Sequence, residues 1–170
     1  MKIRNAFVTL TICLLLVLTT TFLVNMQKVS AQPITDCRKI VTGTYLVTVT
    51  VSGNFDKFPS IVTFTQDGNY FATSSNQSSV ASVPSYGNIQ GRWKCTSSTE
   101  ITTTAFNFDY PTATLPGTIS RTDLHATFDP KNGVVQATAT LKSFALNANP
   151  LNDDAPVART FTFTGQRVKP

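Results

Sequence analysis

From Gly43 onward, threonine, valine and phenylalanine alternate with polar residues at a period of two, interrupted by glycine, proline and asparagine. Such alternation sends successive side chains to opposite faces of an extended chain, and β-branched and aromatic residues suit a pleated, half-buried surface. The pattern predicts eight strands, at roughly 44–52, 60–66, 69–74, 87–95, 99–108, 117–128, 133–144 and 158–168. Beyond the first 31 residues no window carries an apolar i, i+3, i+4, i+7 stripe, so an all-β fold is expected.

The connections point to antiparallel neighbours. Gln66-Asp67-Gly68-Asn69 and Asp129-Pro130-Lys131-Asn132-Gly133 read as tight hairpin turns, with glycine where positive φ is required. Three connections are long: Ser74 to Tyr86, Asp109 to Pro116 and Ala145 to Val157. Long loops on a rigid scaffold are where recognition usually sits. Tight hairpins between sequence neighbours favour a single eight-stranded antiparallel up-and-down β-barrel, which removes sheet edges; the alternative is a two-sheet β-sandwich.

The start of the chain is different. Lys2 and Arg4 precede an uncharged run from Ala6 to Val24, and the polar stretch after it ends in Val29-Ser30-Ala31. A basic start, an apolar middle and small residues before the cut make residues 1–31 a secretory signal peptide. A retained anchor would need ~20 apolar residues, and five threonines interrupt this run. The expected location is therefore secreted, extracellular or periplasmic, with no membrane attachment after cleavage.

Removing the leader changes the electrostatics. Three of the fourteen basic side chains (Lys2, Arg4 and Lys28) leave with it, so eleven remain against nine acidic ones, a net of +2. Those eleven are scattered, with Arg38-Lys39 the adjacent pair. Binding a phosphate backbone needs several cations on one surface, so no nucleic-acid partner is expected. Cys37 and Cys95 are the cysteines of the mature chain, and an even count in an exported protein reads as one disulfide.

The alternation also assigns faces. Tyr45, Val47, Val49 and Val51 oppose Leu46, Thr48, Thr50 and Ser52; Trp93 and Cys95 oppose Arg92 and Lys94. Phe106 and Phe108 oppose Asn107 and Thr103, and Phe161 and Phe163 oppose Thr160, Thr162 and Thr164. The expected interior lining is thus Tyr45, Val47, Val49, Trp93, Phe106, Phe108, Phe161 and Phe163. An eight-stranded barrel either fills its interior with such side chains or keeps room for one small ligand.

Gly43-Thr44-Tyr45 at the first strand, then FPSIVTFTQDGNYF, GNIQGRWKC and a closing FTFTGQRV resemble secreted calycin-type barrels, the lipocalin-like and allene-oxide-cyclase-like folds. The resemblance lies in overall strand pattern, with Tyr45 in the tryptophan place of the lipocalin Gly-x-Trp opening. It makes residues 32–170 a lipocalin-like barrel domain. It implies a small apolar ligand as partner or, for the cyclase branch, isomerisation by confinement. It further implies an arginine of the last strand packed over the opening aromatic, a role open to Arg159 or Arg167, of which Arg167 is the choice.

Catalytic signals are sparse. Arg121, Asp123 and His125 lie at i, i+2 and i+4 of the sixth strand and share one face. The opposite face carries Leu124, Ala126 and Phe128, the natural inward set, which leaves the three polar residues on a solvated wall. One histidine makes no metal cluster, and neither metal nor cofactor is expected. Asn76-Gln77-Ser78 is a glycosylation sequon in a host that has the machinery. Three functions remain open: a non-enzymatic barrel holding a small apolar or amphipathic ligand, a cyclase or isomerase using the same cavity, and a packed barrel acting through its outer surface. Whether the chain is monomeric is not readable from the sequence.

Overall fold

The computed structural model describes residues 35–53, 56–78, 85–151 and 155–169. The expected leader, residues 1–31, lies outside them. A short helix, α1 (Thr35–Val41), precedes eight strands: β1 (Gly43–Val51), β2 (Lys57–Phe64), β3 (Asn69–Ser74), β4 (Ile89–Cys95), β5 (Glu100–Asp109), β6 (Thr118–Asp129), β7 (Val134–Ala145) and β8 (Val157–Arg167). Each strand pairs antiparallel with its sequence neighbours, and β1 pairs with β8 from Tyr45↔Arg167 to Val51↔Phe161, so the barrel is closed. The fold is the up-and-down barrel expected from the alternation, and the sandwich is excluded.

The turns form for local reasons. Gly68 and Gly133 take φ of 90° and 67°, which side chains other than glycine rarely adopt. Asp129 accepts the Lys131 amide at 2.9 Å and the Asn132 side-chain amide at 2.6 Å, closing the β6–β7 turn. Asp67 plays the same part in the β2–β3 turn, accepting from the Thr65 hydroxyl and, at 2.6 Å, from the Asn69 amide.

Because the strands run alternately up and down, the tight β2–β3, β4–β5 and β6–β7 connections share one end with α1. All three long connections gather at the other end. The α1 end is packed with rings. Phe64 lies at the centre of Tyr45, Tyr70, Trp93 and Phe128, with centroid separations of 5.9, 5.3, 6.1 and 5.5 Å. Edge-to-face pairs of this kind add roughly 0.5–1.5 kcal/mol each beyond the burial of their area.

The alternation does not anticipate α1. Seven residues are too few for a helix to stand alone, and here long-range contacts hold it. Cys37 is fully buried and bonded to Cys95 at the end of β4. The Arg38 guanidinium lies 5.8 Å from the Trp93 ring centroid and donates to the Gln66 carbonyl at 2.7 Å. The carbonyls at the helix C-terminus, which have no intrahelical partner, accept from the Tyr45 hydroxyl (Val41 O, 3.0 Å) and from the Arg167 guanidinium (Ile40 and Thr42 O). A cation at that end also opposes the negative pole of the helix. The disulfide joins the helix to the wall across 58 residues of chain.

Replacing both cysteines by serine is expected to lower the unfolding free energy by about 4 kcal/mol, the chain-entropy value for a loop of this length, with the β circular-dichroism spectrum kept. Denaturant titration of the oxidised and double-variant proteins checks this, and coincident midpoints would contradict it.

Candidate functional site

The inward face divides into two halves. Toward α1 it is aromatic. Toward the long loops it becomes small and polar: Ser60 on β2, Ala72 and Ser74 on β3, Gly91 on β4, Thr103, Ala105 and Asn107 on β5, Ser120 and Thr122 on β6, and Ala139 on β7. Phe58, Ile89, Phe161 and Phe163 are partly buried and pack against this core.

At the loop end, the Asp109 carboxylate gathers donors from the inner wall. Asn107 Nδ2 reaches it at 3.0 Å, the Thr118 hydroxyl at 2.7 Å and the Ser120 hydroxyl at 2.6 Å. Strand pairing brings these together, since Asp109 stands opposite Thr118 and Asn107 opposite Ser120. Tyr86 bridges to Asp109 through the backbone, and its hydroxyl donates to the Asn76 side chain. Asn76 of the sequon is thereby engaged within this polar rim. Nearby, the buried Ser60 and Ser74 hydroxyls bond each other at 2.7 Å. The rim is a set of hydrogen-bonding side chains, paired with one another, at the loop end of the barrel.

Of the expected lining residues, Tyr45, Val47, Val49 and Trp93 are buried in the core, and Phe161 and Phe163 pack against it. Phe106 and Phe108 do not line the interior. On β5 the inward set is Ile101, Thr103, Ala105 and Asn107, and Phe108 is 57% exposed on the outer wall. The reason is steric. Ala105 faces Gly91, where an added Cβ would stand 2.5 Å from the Ala105 Cα. The strands approach so closely that a phenyl ring in that position has no room, and the one-residue shift that would turn Phe106 inward is blocked.

Arg121, Asp123 and His125 are on the outer wall, opposite the buried Thr122, Leu124 and Ala126. Arg121 and Asp123 form an ion pair at 2.9 Å, and the Thr104 hydroxyl donates to Asp123 at 2.9 Å. Asp123 and His125 border an open groove of about 510 Å³ along β5 to β8, lined otherwise mainly by threonines. Among the described residues no three His, Cys, Asp or Glu side chains come together to hold a metal ion. Among them, too, no helix is long and apolar enough to cross a membrane.

The expected lining omits Phe64, Tyr70 and the Asn107–Asp109–Ser120 rim. Alternation within β2 and β3 carries the signal for the first two. The rim becomes visible only once β5 is turned the right way round.

The fold of EF1p2_mFAP2b, solved bound to DFHBI, is similar: the match covers 80% of this chain and 100% of that one, with a TM-score of 0.50 and 14% sequence identity. At that identity the likeness is one of fold, a closed antiparallel β-barrel. No family model and no curated protein matches the sequence.

Burial raises the phenol pKa of Tyr70 far above its ordinary 10.0, and raises those of Tyr45 and Tyr86 as well; Arg167 opposes the shift at Tyr45, and the Ser74 hydrogen bond opposes it at Tyr86. The fold therefore favours the neutral phenols. Their contribution is complete below pH 10, where the unfolded chain titrates, and is lost as pH rises toward the folded values. Above pH 10 the unfolding free energy is expected to fall by about 1.4 kcal/mol per pH unit for Tyr70 alone. Denaturation curves across that range, compared with Tyr70→Phe, measure the slope: it flattens in the variant, and equal slopes would contradict the assignment.

Proposed function

We propose that this protein is an exported, non-enzymatic barrel that, once residues 1–31 are removed, holds one small, mainly apolar molecule in the half of its interior that faces the long loops. The observation that carries this reading is the division of the inward face. Large rings and α1 fill one end, while the other mixes serine, alanine, glycine and threonine with Phe58, Ile89 and Phe161 under a hydrogen-bonding rim. Ser60, Ala72, Ser74 and Ala139 keep side-chain volume low there, while Gly91 and Ala105 are small because their strands touch. The similar barrel EF1p2_mFAP2b, bound to DFHBI, supports the same use of this architecture.

The physical basis is burial. A ligand burying ~400 Å² of apolar surface gains on the order of 10 kcal/mol at ~25 cal/mol per Å². The costs of association reduce this toward micromolar affinity. The rim of Asn107, Asp109, Ser120 and Tyr86 would fix the orientation of a polar end. The disulfide and the leader both fit an oxidising destination outside the cytoplasm.

The cyclase or isomerase reading fares worse, because Arg121, Asp123 and His125 face outward and leave it without the one catalytic set the sequence offers. The reading as a surface-interaction protein draws on Leu46 and Ile61, which pair on the outer wall and are both more than half exposed.

Trp93 is the only tryptophan of the chain and borders the interior, so its emission reports occupancy. Protein purified from its own host is expected to carry an apolar adduct in native mass spectrometry, and the stripped protein is expected to show a shift in Trp93 emission on titration with a matching lipid or pigment. Empty protein, together with Trp93 emission unmoved by a broad ligand panel, would overturn the proposal.

A further inference from the structure

The groove on the outer wall of β5 to β8 has an ordered floor. Two rows of polar side chains cross the strands side by side. Thr102, His125 and Thr138 stand opposite one another in the register. So do Thr104, Asp123, Thr140 and Thr160. Neighbouring strands lie ~4.8 Å apart, and outward residues ~7 Å apart along a strand, so the hydroxyls form a regular grid. These side chains line the cavity of about 510 Å³, which is open to solvent along the wall. Within it the Asp123 carboxylate accepts from the Arg121 guanidinium at 2.9 Å and from the Thr104 hydroxyl at 2.9 Å. Those bonds balance its charge and fix its orientation, and a carboxylate has acceptor sites beyond two.

A second observation lies beside the first. Two residues along β5 from Thr104 stands Phe106, outward between the buried Ala105 and Asn107, and beyond it Phe108, 57% exposed. Phe108 faces Ile119 across the register, so these rings belong to an apolar strip rather than standing singly. Exposed apolar surface rimmed by polar residues marks a binding surface.

From the two together we infer that this groove binds a neutral, extended, β-linked oligosaccharide. One sugar ring stacks on Phe106, and the following rings lay their hydroxyls along Thr104, Asp123, Thr140 and Thr160. The chemistry selects this class. Pyranose rings with equatorial hydroxyls keep apolar C–H faces that suit the negative face of an aromatic ring. Their edges carry hydroxyls that donate and accept, as threonines do. An apolar ligand would desolvate Asp123 and Arg121 without replacing their bonds to water. An anionic ligand would meet the Asp123 carboxylate, whose one ion-pair partner here, Arg121, is already engaged. Four strands side by side span ~14 Å, which suits a short chain of sugars better than a single one. The site is independent of the barrel interior and holds whether or not a ligand occupies it.

The probes are cellotetraose and laminaritetraose, both neutral and β-linked, and the anionic tetragalacturonate. Each is titrated into the protein by calorimetry and by NMR of the threonine methyl groups. At least one neutral probe is expected to bind about ten-fold more tightly than tetragalacturonate, since like charges in contact are penalised, and to move the methyl resonances of Thr104, Thr138, Thr140 and Thr160. The double variant Thr138→Val/Thr140→Val keeps shape and strand propensity and is expected to weaken that binding about ten-fold, the loss of two hydrogen bonds. Phe106→Leu is expected to weaken it about five-fold, the loss of ring stacking. Thr48→Val, on the outer wall of β1, is expected to leave it unchanged, and all three variants are expected to melt as the wild type does. Binding of neither neutral probe, equal binding of all three probes, or unchanged affinity in both groove variants would overturn the inference.

Discussion

The rest of the structure depends on the pairing of the first strand with the last. Seven register pairs, from Tyr45↔Arg167 to Val51↔Phe161, turn an open sheet into a cylinder. Closure satisfies the backbone groups of both edge strands and creates an inside. The seam is tight. At Gly165 an added Cβ would stand 2.6 Å from the Val47 Cα, so β8 can approach β1 this closely only with glycine there. With the sheet closed, period-two alternation becomes a division between wall and lumen, and every later statement about burial follows from it.

Closure by itself does not decide what the inside is for. The ligand-binding proposal takes that from unequal side-chain volume along the barrel axis. At one end Phe64 and the rings around it form a solid floor, and α1 seals it from below through the Cys37–Cys95 bond, the Tyr45 hydroxyl and the Arg167 guanidinium. The lipocalin resemblance implies an arginine of the last strand over the opening aromatic. Arg167 stands opposite Tyr45 in the register, lies over Gly43 and holds the helix C-terminus. At the other end the same strands carry small and hydroxylated residues, beneath the long loops.

The strands, turns and disulfide pairing are legible in the sequence because each rests on a local rule: alternation, glycine at a turn, an even cysteine count. What is not legible depends on contacts made across the barrel. In α1 seven residues carry too little periodicity to register, and its stability comes from partners far along the chain. Strand β5 is apolar on both faces, and hydrophobicity alone turns Phe106 and Phe108 inward. The decisive fact is the close approach at Gly91, which belongs to the neighbouring strand. The same mistaken face hides Thr103 and Asn107, and with Asn107 the polar rim. The outward position of Arg121, Asp123 and His125 is legible, because Leu124, Ala126 and Phe128 leave β6 only one consistent face.

The ligand-binding proposal builds on a packed aromatic floor at one end of the barrel and a polar rim around Asp109 at the other. All of this requires the cylinder to be closed in solution. Amide hydrogen exchange resolved along the chain tests that most directly. Segments 45–51 and 161–167 are expected to exchange as slowly as the central β6–β7 pair, whereas fast exchange in β8, at the rate of an unpaired edge strand, would contradict the account.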